Sequence, residues 1–296
     1  MLKFPDNTIL KPDTKIEPWK IMTKDSNIEH SLCNNPTISV VTCTFNSEKY
    51  LENALLSVER QTYPFIEHII NDSFSTDKTI EILKSYINRN QHRYPIKLIQ
   101  SQPLGVANAL NVATESATGE IIHYLHSDDY YDSSFTLKKV AAYFRSNPDL
   151  VWLTGNFLIE YKGRKIILPN TYLLKYRPEI AISFMNFIHH ENTFVKRQSV
   201  VNYGGFCEDK TLTVEYRLWL RLIQDHKPLV LNEEFTVFII HKGSTSTGNI
   251  WQLIKAIGRG FKTLKHEKIF PVIGYYVKSS LFKNYQKLMG YFIKQT

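Results

Sequence analysis

Residues 38–47, Ile38-Ser39-Val40-Val41-Thr42-Cys43-Thr44-Phe45-Asn46-Ser47, followed by Leu51, Ala54, Leu55 and Val58, decide the fold. The β-branched run 38–42 has the composition of a buried strand, and the four apolar residues after it recur at helical spacing. Asn46 and Ser47 stand between the two as helix-cap candidates. The same alternation continues outward. Residues 68–70 read as a second strand. Ser75-Thr76-Asp77 caps a helix with Ile80, Leu83 and Ile87 on one face. Residues 96–99 form a third strand, and Val106, Ala109, Leu110 and Ala113 a third helical face that stops at Gly119. Residues 121–125 make a fourth strand. Strand and helix in strict alternation build an α/β fold, a mostly parallel sheet flanked by helices. Ligands of such sheets bind beyond the carboxyl ends of the strands, here residues 42–46, 71–77 and 126–129.

Beyond this block the periodicity loosens. Residues 1–36 are polar and Pro-punctuated and read as an N-terminal extension. Residues 37–249 carry the alternating pattern and its continuation. That continuation includes a hairpin around Lys162-Gly163-Arg164, a helix starting near Val214, and strands at Val230 and 235–240. Residues 250–296 read as a basic helical C-terminal extension, interrupted at Pro271.

The 296 residues are 43% apolar and 22% charged, with 12 Gly and 12 Pro, which excludes disordered and collagen-like classes. No apolar run approaches the roughly 20 residues that span a bilayer. Pro and Asp stand near the N-terminus where a signal peptide needs an apolar stretch, and Cys33, Cys43 and Cys207 form neither a disulfide framework nor a zinc pattern. A cytoplasmic, reducing setting is expected. The whole net charge of +8 sits in residues 251–296, where eight Lys and one Arg face one acid, Glu267. The neutral remainder argues against nucleic acid as a partner. In the tail, Trp251, Leu253, Ile254, Ile257, Phe261 and Leu264 interleave with Lys255, Arg259, Lys262, Lys265 and Lys268. Such a pattern suits peripheral contact with an anionic membrane at its inner face, a helical subdomain packed on the core, or a dimer contact.

Chemistry concentrates at the expected strand ends. His126-Ser127-Asp128-Asp129 sets two carboxylates side by side, which repel unless a cation or donors compensate. A hard ion such as Mg²⁺ or Mn²⁺ would do so and share its remaining positions with phosphates. A helix-capping pair is the plainer alternative, and Asp72 at the neighbouring strand end favours the metal. Thr44-Phe45-Asn46 offers a ring for stacking or an ordinary turn. In Val214–Leu222, Glu215, Leu218, Trp219 and Leu222 share one helix face and Arg217 and Arg221 another. Glu215 is therefore a helix-dipole partner or a base facing a cleft. His189-His190-Glu191 reads as a loop with one useful polar group rather than a metal site. The loop 243–248 is small and flexible. No Walker or dinucleotide fingerprint occurs, against an ATPase or dehydrogenase.

In their order these features resemble the family 2 glycosyltransferases of GT-A fold, inverting bacterial sugar transferases of polysaccharide and glycolipid assembly. The resemblance rests on ISVVTCTFNSEKYLENALLSVERQTYP (38–64), IEHIINDSFSTDKTIEIL (66–83), GVANALNVATESATGEIIHYLHSDD (105–129) and VEYRLWLRL (214–222). Weaker matches are HHENTFVKRQSVVNYGGFCED (189–209) and HKGSTS (241–246). It implies transfer of a sugar from a nucleotide-sugar donor, a UDP-sugar, to a hydroxyl of a saccharide or lipid-linked acceptor. It further implies that Thr44, Phe45 and Glu48 contact the nucleotide, that Asp72 reads the uracil edge, and that Asn108 and Asn111 flank the donor. Asp128 would hold the ribose, Asp129 the Mg²⁺ or Mn²⁺, and Glu215 would be the catalytic base. His190 and Glu191 would lie at the sugar–acceptor junction, and His241 and Ser244 by the flexible loop. The chain departs from the family at Ser73-Phe74, where small glycines are usual, at Glu215, where Asp is usual, and at Arg217, where a second acid is common. A nucleotidyltransferase, or a non-catalytic nucleotide-sugar or glycan-binding module, are the alternative functions.

Overall fold

The computed structural model describes residues 35–170, 172–184, 186–209 and 213–241, with 262, 263, 266 and 267. Contacts divide the chain between Asn35 and Pro36, and every element of the fold belongs to the unit Pro36–Thr296. Apart from Asn35, Pro36, Lys262, Thr263, His266 and Glu267, the extension 1–36 and the basic segment 250–296 lie outside the described residues. So do the loop 243–248 and Ser244 within it.

The strand–helix alternation read from the sequence is present. It runs β1 (Ile38–Thr44), α1 (Leu51–Glu59), β2 (Ile66–Asp72), α2 (Thr79–Asn90), β3 (Ile96–Gln100), α3 (Val106–Ser116) and β4 (Ile121–Tyr124). β1 pairs in parallel with β2 and β4, and β2 with β3. The rest of the chain extends this sheet and adds a second. After β5 (Tyr130–Tyr131) and α4 (Thr136–Ser146) come β6 (Trp152–Thr154), β7 (Phe157–Tyr161) and β8 (Arg164–Leu168). Next are α5 (Tyr172–Tyr176), α6 (Pro178–Phe184), a 3₁₀ turn (His190–Asn192), β9 (Thr193–Lys196), α7 (Arg197–Asn202), α8 (Tyr216–Asp225), β10 (Leu229–Val230) and β11 (Thr236–Ile239). The main sheet has the order β10-β6-β9-β4-β1-β2-β3, and the smaller one β5-β11-β7-β8. β9 runs antiparallel between β4 and β6.

Both faces of the main sheet are covered, as a parallel sheet requires. Alternate strand residues serve opposite layers. Val41, Ile69, Ile122, Val195 and Trp152 pack with Ala107, Leu110 and Ala113 of α3 and with Leu218, Trp219 and Leu222 of α8. Ile38, Val40, Ile66, Ile70, Ile121 and Phe194 pack with Leu51, Leu55 and Val58 of α1, Leu83 of α2, and Leu137, Val140 and Phe144 of α4.

Several local expectations are corrected. α1 begins after Tyr50, not at Asn46 or Ser47. Asn46 instead adopts a left-handed backbone (φ 50°) that turns the β1 loop toward the β2 loop. Gly119 is not a left-handed stop, since α3 has ended at Ser116. A Cβ there would lie 2.5 Å from Ser39 Oγ and 2.8 Å from the Thr37 carbonyl, so glycine is required by close backbone approach. Tyr130 opens a short strand, and α4 starts only at Thr136. The hairpin at Lys162-Gly163 is present between β7 and β8, with φ of 50° and 74°, a primed turn suited to strand twist.

Candidate active site

Register fixes the frame of the site. Thr44, the last residue of β1, is the partner of Asp72, the last of β2, while Val41 pairs Tyr124 at the end of β4. Residues 45–50, 73–78 and 125–129 therefore leave the sheet on its carboxyl edge. They are stitched together there. Asn46 N–H donates to Ser75 Oγ, Thr76 N–H to Asn46 Oδ1, Ser47 N–H to Thr79 Oγ1, and Ser127 Oγ to Ser47 Oγ.

On the β1–β2 side every acid is committed to the fold. Asp72 is fully buried, and its Oδ1 accepts the hydroxyls of Thr44 (2.9 Å) and Ser75 (2.5 Å) while Oδ2 accepts Ser75 N–H (2.9 Å). The carboxylate expected to read a base edge thus shapes the loop that would carry the base. Glu48 Oε2 accepts Lys78 N–H, and Asp77 caps α2 at Thr79 N–H. What these loops expose is aromatic. Phe45 is 57% and Phe74 46% exposed, and Phe74 holds φ 58°, a left-handed conformation that bulky residues rarely adopt. Asn108 and Asn111, expected at the donor, brace the loop after α7. Asn111 exchanges hydrogen bonds with the Phe206 backbone, and both amides reach Glu208 Oε1.

The β4 side is built differently. Asp128 Oδ2 meets His241 Nε2 at 2.9 Å, and the His241 ring stacks on Tyr50 at 4.2 Å. Asp129 is fully buried. Its Oδ1 accepts Ile239 N–H, and its Oδ2 has no partner. Burial, then the like charges of Asp128 and Glu191, push its carboxyl well above the ordinary carboxylate range. An unpartnered, buried carboxylate oxygen beside a second acid is an oxygen pair that fits a hard divalent cation.

Behind Asp128 stand His126, His190 and Glu191. His126 and His190 meet edge to face, Nε2 toward Nε2, with ring centroids 4.5 Å apart. Glu191 Oε2 lies 3.7 Å from His190 Nδ1 and accepts no hydrogen bond. Burial lowers the pKa of both histidines and raises that of Glu191. Glu215 completes the wall. It is the residue before the first turn of α8, and its Oε1 accepts Asn186 Nδ2 at 2.8 Å. Its charge is felt by His126, His190 and Glu191. Tyr216, Leu218, Trp219 and Leu222 of the same helix are buried, so the body of α8 is anchored while Glu215 stays at its end. Arg217 and Arg221, on the other face, hold Glu267, which accounts for an arginine where an acid is common.

The sequence therefore brings Asp128, Asp129, His190, Glu191, Glu215 and His241 to one side of the carboxyl edge, with Asp72, Thr44, Phe45 and Glu48 on the other. Sequence reasoning missed His126, although it stands within a quoted motif, and His123. The latter is buried beneath, its Nε2–H donating to the Glu191 carbonyl and its Nδ1 accepting the Tyr131 hydroxyl. Asn186 carried no local signal.

Known proteins share this frame. The model of the family described as Glycosyl transferase family 2 matches residues 39–207. The chain is 30% identical over 146 residues to the poly(ribitol-phosphate) beta-N-acetylglucosaminyltransferase TarS of Staphylococcus aureus, covering 49% of this chain and 24% of TarS. The TarS 1–349 crystal structure in complex with UDP-GlcNAc superposes with a TM-score of 0.58 at 24% identity, over 70% of this chain and 60% of that one. The UDP-Glc:alpha-D-GlcNAc-diphosphoundecaprenol beta-1,3-glucosyltransferase WfaP of Escherichia coli is 26% identical over 254 residues, 83% of this chain and 95% of WfaP. The mannosyltransferase PcManGT of Pyrobaculum calidifontis, solved with GDP-Man and Mn²⁺, gives a TM-score of 0.62 at 19% identity, covering 78% of this chain and 65% of that one. The chain spans about half the length, or less, of several curated relatives it matches. The structural likenesses establish the fold, which is GT-A.

Proposed function

The chain belongs to glycosyl transferase family 2, and from that premise we propose that it transfers a sugar from a UDP-sugar to a hydroxyl of a saccharide or lipid-linked acceptor, with inversion, in polysaccharide or glycolipid assembly. The observation that carries the proposal is the gathering of Glu215, Glu191, Asp128 and Asp129 on one side of the sheet's carboxyl edge, with two exposed rings, Phe45 and Phe74, on the other. The rings suit a nucleobase and the acids suit a diphosphate, its cation and a reacting hydroxyl.

Glu215 takes the acceptor proton as the acceptor oxygen forms its bond to the anomeric carbon. On the opposite face, the bond from that carbon to the diphosphate oxygen breaks and the nucleoside diphosphate leaves with the electron pair. Asn186 holds Glu215 by one oxygen, leaving the other for the proton. Asp128 receives the ribose, with His241 fixing its orientation. Asp129 would hold Mg²⁺ or Mn²⁺, which when bound neutralises charge on the departing diphosphate. His190 and Glu191 border the junction of sugar and acceptor. Among the described residues no helix is long and apolar enough to cross a membrane. The reading has the enzyme in the cytoplasm, with residues 251–296 meeting an anionic membrane face where a lipid-linked acceptor would lie. Co-sedimentation with anionic vesicles at low salt, lost at high salt, is expected; no sedimentation at low salt removes the membrane part.

The activity test is UDP release from a panel of UDP-sugars with and without an acceptor pool. Glu215→Gln is expected to lower release by about 10²–10⁴-fold while UDP-sugar binding by calorimetry is retained. Near-normal release in that variant ends the assignment of Glu215, and wild-type binding without any release favours a non-catalytic binding module.

A further inference from the structure

The family's metal is expected at Asp129, yet the described residues hold a second grouping with metal-ligand geometry. His126 and His190 direct their Nε2 atoms at each other. Two imidazole nitrogens so placed share one proton at most. Glu191 supplies a third ligand atom, and one such atom from each of the three residues lies within 4.8 Å of the others. Glu191 Oε2 is buried and accepts nothing. A hydrogen bond between the rings accounts for the two Nε2 atoms and leaves this oxygen only a 3.7 Å approach to His190 Nδ1, whereas an ion would engage a nitrogen of each ring and the oxygen together.

The frame around the grouping is built. His126 is held two residues beyond β4. His190 and Glu191 sit on the 3₁₀ turn, whose Glu191 carbonyl accepts the Thr236 hydroxyl and contacts His123 Nε2. Asn192 Oδ1 accepts both Phe235 and Thr236 N–H, so the turn is pinned at its next residue as well. These bonds fix the backbone that carries His190 and Glu191.

We propose that His126, His190 and Glu191 form a binding site for a first-row transition-metal ion of the zinc type, distinct from the Mg²⁺ or Mn²⁺ expected at Asp129. Imidazole nitrogen suits zinc and its neighbours, while Mg²⁺ prefers oxygen alone. Two His and one Glu with a fourth position open is an established zinc ligand set. In a tetrahedral zinc site, ligand atoms lie about 3.3 Å apart, inside the 4.8 Å that contains the three ligand atoms here. The ion would clamp the end of β4 to the 3₁₀ turn beside Glu215. This inference does not depend on sugar transfer, since the site would fill in a chain that transfers nothing.

The test uses full-length protein stripped of metal and titrated with Co²⁺. One equivalent is expected to give a visible d–d absorption band, displaced by one equivalent of Zn²⁺ and unaffected by millimolar Mg²⁺, and Zn²⁺ should raise the Tm. His126→Gln and His190→Gln should each abolish the band, Glu191→Gln should weaken Co²⁺ binding at least tenfold, and Asp129→Asn should leave it intact. Circular dichroism of the metal-free variants checks their folding. If the histidine variants do not fold, X-ray absorption on the zinc-loaded wild type decides, two imidazoles in the shell supporting the site and none overturning it. The proposal also falls if the wild type gives neither a band nor a zinc-dependent Tm rise, or if the band survives both histidine changes or vanishes in Asp129→Asn.

Discussion

The two sides of the carboxyl edge differ in how their polar atoms are satisfied. Around Asp72 both carboxylate oxygens, the Thr44 and Ser75 hydroxyls and the Ser75 N–H are all paired. On the β4 side four buried polar atoms have no partner, Asp129 Oδ2, Glu191 Oε2, Asn186 Oδ1 and Asn192 Nδ2, and beside Asp72 two more, Asn71 Oδ1 and Ser101 Oγ. Each such atom costs about 1–3 kcal/mol. Among these six, carboxylate oxygens stand only on the β4 side, and a cation would satisfy them. The Asp72 side is scaffold for a binding surface, and the Asp129 side is where chemistry is expected.

The contrast can be broken most decisively by removing one acid from each side. Asp72→Ala strips the acceptor from three donors and is expected to lower stability by about 3 kcal/mol or more. Asp129→Asn removes a buried, like-charged carboxylate and should leave the Tm unchanged or raised, while abolishing any strengthening of UDP binding by Mn²⁺. Thermal melts and calorimetry read both. If Asp129→Asn is the more destabilised of the two, the division between scaffold and site is wrong. A smaller effect sharpens the scaffold side. Phe45→Ala and Phe74→Ala should each weaken UDP about tenfold, since stacking on a base is worth roughly 1–3 kcal/mol, with little change in Tm because both rings are exposed. Unaltered UDP binding in both variants would leave the exposed rings without a role.

The last test, of pH dependence, reads almost nothing near neutral pH and grows only in acid. His68, buried between Thr42 Oγ1 and Tyr86 OH, has its pKa pulled down to about 3 by burial. The folded chain keeps this ring neutral while the unfolded chain protonates it below about 6.5. Its contribution is therefore present above that value and lost as pH falls toward 3, by up to about 1.4 kcal/mol per pH unit. His68→Gln should be less stable than the wild type at pH 7 and lose less between pH 6.5 and 4. Parallel pH–Tm curves for the two proteins would contradict this.

Much of the frame was legible because it is periodic. β1 to β4 and α1 to α3 announce themselves by β-branched runs and i, i+3, i+4 faces, and the Lys162-Gly163 turn by its dipeptide. β5 and β9 were not legible. Two and four residues carry no period, and β9 becomes a strand only because β4 and β6 flank it. The site was legible where its residues fall at strand ends or a helix start, as Asp72, Asp128, Asp129 and Glu215 do. The His126–His190 contact joins residues 64 apart and exists only in three dimensions. Asn108 and Asn111 have contacts that no local pattern carries. The motif pointed to the donor, while their amides are held by a loop nearly a hundred residues later. Arg217 likewise makes sense only once Glu267 is beside it.

The antiparallel strand β9 has a consequence for biogenesis. As the polypeptide leaves the ribosome, β1 to β4 can assemble by residue 124, but one flank of β4 then waits, unpaired, for Thr193–Lys196 to be synthesised. Through that interval a four-stranded sheet presents an open edge, a setting in which chains associate with one another. A polypeptide ending between α4 and β9 would keep that edge for good, and should aggregate although its first four strands are intact.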